Sequence, residues 1–87
     1  MHAVVVRVKI TDPENAQSAL QEQVVPRVSQ APGFVTGYWT RKDDTGLSMV
    51  VFDSEEAATR ASQMIEGNVP ETVALEGVEV REVVANA

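Results

Sequence analysis

Two runs in this chain are apolar at consecutive positions: Val4-Val5-Val6 and Met49-Val50-Val51-Phe52. Successive side chains of a strand point to opposite faces of a sheet. A strand that is apolar at every position is covered on both faces and belongs inside a sheet, whereas an alternating strand has a wet face. Two further β-prone stretches are interrupted by polar residues: 34–41 by Thr36, Thr40 and Arg41, and 78–85 by Glu79, Arg81 and Glu82. The pattern predicts a four-stranded sheet with strands 2–10 and 47–52 in the middle and 34–41 and 78–85 at its edges.

The segments between these strands read as helices. Asp12 can cap a helix, Pro13 suits its first turn, and Glu14 favours the positive end of its dipole. Ala16, Leu20 and Val24 then recur at spacing four and give one apolar face over 14–25. Pro26 interrupts that pattern and biases Val25 away from the α region, so the helix either kinks there or restarts with a short piece through Ser29. Pro32-Gly33 ends helical structure. Residues 42–46, Lys-Asp-Asp-Thr-Gly, have hairpin chemistry, with Gly46 expected to take the positive φ. Asp53 and Glu56 have the spacing of a capping box before a helix over 54–66. That helix carries Ala57, Ala61, Met64 and Ile65 as its apolar stripe, and Gly67 is its expected stop. Residues 68–77 read as a loop.

The order is β-α-β-β-α-β over a single domain, residues 1–87, the split βαβ arrangement of ferredoxin-like folds. The fold class expected is α+β: an antiparallel sheet of order 4-1-3-2 with two helices on one face. Two helices cover one side of such a sheet, which leaves the other side open with Val5, Val50 or its neighbours, and one of Tyr38 and Trp39 on it. An open apolar sheet face marks an interface or a ligand groove. We therefore expect a homodimer that pairs through its sheet faces.

Composition narrows the function classes. The chain has no cysteine, which rules out disulfides and thiolate metal sites. Its formal net charge of -6 at pH 7 argues against nucleic acid, whose binding depends on phosphate neutralisation by Lys and Arg, and against an anionic membrane surface. No run approaches the roughly 18 apolar residues that span a bilayer, and the start lacks a basic leader, so a cytoplasmic location is expected. No Gly-rich phosphate loop, His/Cys ligand cluster or nucleophile elbow is present. Asp43 and Asp44 fit turn chemistry better than a metal site, and no metal is expected.

Both Phe residues, the only Tyr and the only Trp fall within residues 30–52, with Tyr38 and Trp39 adjacent. In a strand these two rings face opposite ways, so one joins the core and the other meets a partner, a ligand or solvent. Trp39 can stack on a flat ligand, Tyr38 can donate to its oxygen, and Met49 can line an apolar cavity. His2 is expected to be solvated, and Arg7 and Lys9 to pair across strands with Glu79 or Glu82.

The element order, Pro32-Gly33-Phe34 before the second strand, the aromatic pair within it, the hairpin, and Phe52-Asp53-Ser54-Glu55-Glu56-Ala57 leading into the second helix resemble the dimeric α/β-barrel superfamily. Within it they are most similar to small proteins of the antibiotic biosynthesis monooxygenase type. The resemblance covers nearly the whole chain. It implies a dimer with a cavity between sheet and helices, where some members oxidise phenols to quinones with O2 and no cofactor and others degrade heme. Catalytic members commonly place an Asn on the first strand; here the Asn residues are Asn15, Asn68 and Asn86, and the only His is His2. Heme degradation thus lacks its iron ligand. What remains of a substrate site is Trp39, Tyr38, Arg41 and Met49, able to hold a small aromatic ligand of the phenol or quinone type, with no cofactor. The alternatives are a ligand-binding module without turnover and a structural dimer.

Overall fold

The computed structural model describes all 87 residues, Met1–Ala87. The strands are β1 (His2–Ile10), β2 (Phe34–Lys42), β3 (Thr45–Phe52) and β4 (Val73–Glu82). They form one antiparallel sheet in the order β2-β3-β1-β4, which is the predicted order with the two all-apolar strands at the centre. The helices are α1 (Pro13–Ala19) and α2 (Val25–Ser29), joined by a π turn (Leu20–Val24), and α3 (Glu55–Gly67). The chain thus has the ferredoxin-like β-α-β-β-α-β fold of the α+β class.

Alternation along the strands divides the sheet into two sides. Val4, Val6, Val50 and Phe52 are buried on the helix side, where Val28, Ala58 and Ala61 close the core over them. Phe34 meets Phe52 edge-on, with ring centroids 6.2 Å apart, a favoured aromatic geometry. Val5, Leu47, Met49, Val51 and Tyr38 lie on the side that no helix covers, because their cross-strand partners alternate with the core residues.

Pro26 neither breaks the first helical arm nor bends the chain out of the α region. Val25 keeps φ -60 and ψ -48, and its N–H donates to the Leu20 carbonyl, a bond one residue longer than the α-helical one. The widened turn accommodates the missing proline N–H, and Pro26 falls in the first turn of α2. The arm is therefore a restart without a gap, and the tertiary fold overrides the local bias on Val25.

Four differences from the sequence reading have a local reason. The hairpin turns on Asp43 and Asp44, with Asp43 at φ 56, and Gly46 lies inside β3 opposite Arg41. Asp tolerates this left-handed position through its short polar side chain. Gly46 serves close approach instead: a Cβ there would sit 2.8 Å from Val8 Cγ2. The α3 cap is Ser54, whose Oγ accepts from the Ala57 N–H at 3.2 Å, not Asp53. α3 then runs to Gly67, and Asn68 closes it by donating from Nδ2 to the Met64 carbonyl at 2.8 Å. Finally, β4 begins at Val73, inside the stretch read as a loop. A bulge sets Arg7 opposite Gly77 and Val8 opposite Leu75, leaving Glu76 as the extra residue. The inward positions therefore change phase from Val73 and Leu75 to Val78 and Val80, and a period-two reading finds only the second half.

Candidate functional site

The core does not run the full length of the sheet. Towards Phe52, β3 presents Val50 and Phe52 to the helices; towards the hairpin the same face carries only Ser48 and Gly46. On the helical arm, Ala16, Gln17, Leu20 and Gln21 face this end. α3 packs on β1, β3 and β4, and α2 packs on β2, whereas α1 makes no comparably close approach to the sheet. Small side chains below and a raised helix above leave a cleft of about 520 Å³. This lies within the 300–1,000 Å³ typical of small-molecule sites.

The cleft walls are Val8 and Ile10 from β1, Leu20 from the start of the π turn, Trp39 from β2 and Val73 from β4, with Gln17, Gln21, Ser48 and Arg41 as the main polar lining. π turns recur at functional sites because they displace side chains from the regular helical register. Here the displacement accompanies Leu20 and Gln21 lining the cleft. The indole of Trp39 lies flat along the strand over Gly37, where a Cβ would approach its ring carbons Cη2 and Cζ3 to 2.8 and 2.9 Å. Gly37 is thus the residue that lets Trp39 occupy the helix side. Arg41 has no carboxylate within ion-pair distance, unlike Arg60, paired with Glu56 at 2.7 Å, and Arg81, paired with Glu79 at 2.9 Å. No Asp, Glu, His, Lys or Tyr lines the cleft.

The four residues singled out from the sequence divide between the two sides of the sheet. Trp39 and Arg41 share the cleft. Tyr38 and Met49 are cross-strand partners on the opposite side, 68% and 48% exposed, so one site cannot contain all four. Sequence reasoning missed Ser48, Gln17 and Gln21, which line the cleft.

The other candidates lie elsewhere. His2 is not solvated: its side chain is 21% exposed, and Nε2 approaches Glu55 Oε2 at 3.4 Å. It sits six residues before Val8 on β1, roughly 20 Å along the strand. Arg7 and Lys9 do not make the expected cross-strand pairs. Lys9 approaches Asp44 at 3.9 Å, and Glu79 is taken by Arg81. Arg7 lies across Gly77 instead, since a Cβ on Gly77 would meet its Nη2 at 3.3 Å. No three His, Asp or Glu side chains gather as a metal-holding group. Two smaller depressions compete poorly with the cleft. One, about 330 Å³ at the start of α3, is lined by Asp53, Glu56 and an Arg60 already paired to Glu56. The other, about 80 Å³ beside Arg27 and Asn68, is too small for an arene.

No protein-family model matches the chain, and no curated protein matches it. Solved structures do. A dimeric ferredoxin-like protein from an uncultured marine organism aligns over 100% of this chain and 98% of its own, with a TM-score of 0.67 at 13% identity. That likeness shows the fold. A heme-degrading protein from Mycobacterium tuberculosis, solved with two hemes in its active site, aligns over 97% of this chain and 98% of its own, at a TM-score of 0.48 and 20% identity. The fold shared with the marine protein is the ferredoxin-like β-α-β-β-α-β arrangement. No helix is long and apolar enough to cross a membrane.

Proposed function

We propose that this chain is a dimeric small-molecule-binding protein that holds a compact aromatic ligand in the cleft under α1, against Trp39. The cleft itself carries the reading: a space of about 520 Å³ whose one large ring faces inward and whose one charged lining group is an unpaired arginine. The lining supplies apolar walls and hydrogen-bonding groups, but no side chain suited to act as a general base at neutral pH. Binding is thus better supported than turnover.

The dimer is supported by the open sheet side, where Leu47 and Met49 are about half exposed beside Tyr38, and by the dimeric state named for the marine protein of the same fold. Covering roughly 500 Å² of apolar surface is worth on the order of 12 kcal/mol before association costs. We place the dimer in the cytoplasm, which the acidic, cysteine-free composition supports.

One observation favours a second reading, a cofactor-independent monooxygenase acting on a phenol. Arg41 stands in the same cleft as Trp39, so it can hold a phenolate while the ring stacks on the indole. Titration with hydroxylated naphthoquinones and anthrones, followed by Trp39 fluorescence with inner-filter correction, tests both. Saturable quenching supports the cleft, and a flat response across the panel rules against it. Oxygen uptake with a bound hydroquinone then selects the oxygenase; binding without uptake selects the binding protein.

A further inference from the structure

We infer that the cleft selects an aromatic carboxylate, with the arene between Trp39, Leu20 and Val8 and the carboxylate at Arg41. The inference rests on the cleft being the ligand site, and it adds the charge of the ligand. Three observations carry it. Arg41 is the only charged residue in the lining, and no Asp or Glu accompanies it there. Its guanidinium has no protein carboxylate within 4.0 Å, and of the four basic side chains in that position, Arg7, Arg27, Arg41 and Lys42, it alone lines the cleft. Arg41 shares that lining with Trp39 and the apolar walls, so an aromatic anion held there meets the ring and the guanidinium together.

The geometry of the group favours a carboxylate. A guanidinium presents paired N–H donors in a plane that matches both carboxylate oxygens at once. Gln17 and Gln21 add side-chain amides to the same lining. A cationic arene meets Arg41 as a like charge. A neutral arene leaves the guanidinium no better paired than it was and forgoes the charge-assisted bond.

Isothermal titration calorimetry with three matched arenes at neutral pH tests this: naphthoate, naphthol and naphthylmethylamine. The expected order is naphthoate tightest by at least about tenfold, then naphthol, then the amine, with the naphthoate preference weakening as salt is added. Arg41→Gln is expected to reduce naphthoate to the affinity of naphthol, and Arg41→Lys to retain part of the preference, since it keeps the charge and loses the fork. Arg27→Gln, outside the cleft, is expected to change nothing. Equal affinities for naphthoate and naphthol, or a preference that survives Arg41→Gln, would overturn the inference while leaving the cleft as a site. Absence of binding by all three would overturn the site itself and the inference with it. Thermal unfolding of each variant separates a lost contact from a lost fold.

Discussion

The indole of Trp39 covers Gly37 so closely that a methyl group on Gly37 would stand 2.8 Å from Cη2 and 2.9 Å from Cζ3. Residues two apart on a strand share a face, and a ring as wide as indole reaches back over its neighbour. The glycine is the space that the tryptophan fills. Gly37→Ala therefore pushes the indole outward, into the cleft that it borders. Overpacking of this kind costs about 1–3 kcal/mol, and each kcal/mol lowers Tm by about 4–8 °C in a domain of this size. Thermal unfolding and the Trp39 emission maximum are expected to move together, and arene affinity is expected to fall. An alanine variant with unchanged emission and Tm would show that the indole lies elsewhere.

Ser54 rather than Asp53 caps α3, through its Oγ and the Ala57 N–H. Ser54→Ala is expected to lower stability by about 1 kcal/mol, measured by urea unfolding with an unchanged m-value. His2 packs near the same helix start through Glu55, so Glu55→Gln provides a comparison. The Glu55 side of that contact is mostly exposed, and its loss is expected to cost well under the cap.

These two sites illustrate what the sequence could and could not show. The centre of the sheet was legible because burial on both faces requires apolar residues at consecutive positions, as in Val4-Val5-Val6. The cap was misplaced by one residue because Asp53 and Ser54 are both good caps, and only the backbone turn decides between them. The first half of β4 was missed because the bulge at Glu76 changes which side of the strand is apolar. The cleft was harder to foresee. It depends on Ser48 of β3 and the helical residues Ala16, Gln17 and Leu20 lining one space, and such a void is set by elements distant in sequence. Trp39 and Arg41 were found as residue types, while Tyr38 and Met49 were joined to them by type alone and lie on the other side of the sheet.

That other side makes its own prediction. Met49 sits at the centre of the open face, between Val5 on β1 and Tyr38 on β2. In the proposed dimer Met49→Asp buries an unpaired carboxylate, which is strongly unfavourable. Sedimentation at micromolar concentration is expected to find the parent chain as a dimer of its 9.4 kDa subunit and the variant as a monomer. Each tenfold rise in dimer Kd corresponds to about 1.4 kcal/mol. Since Met49 points away from the cleft, arene binding by the variant is expected to persist wherever it remains folded. A parent chain that sediments as a monomer would contradict the dimer.

The central claim is that the space under α1 receives the ligand. The most direct measurement is heteronuclear NMR of labelled protein, in which the single indole N–H of Trp39 reports the cleft. The probe is a hydroxynaphthoquinone. The expected result is a saturable shift of that resonance, with concerted shifts of the backbone amides of Ala16, Leu20 and Ser48. Val5 and Glu79, on the open side of the sheet, are expected to stay in place. Saturable shifts confined to Tyr38, Met49 and Val5, with the Trp39 indole unmoved, would contradict it and assign ligand binding to the sheet face instead.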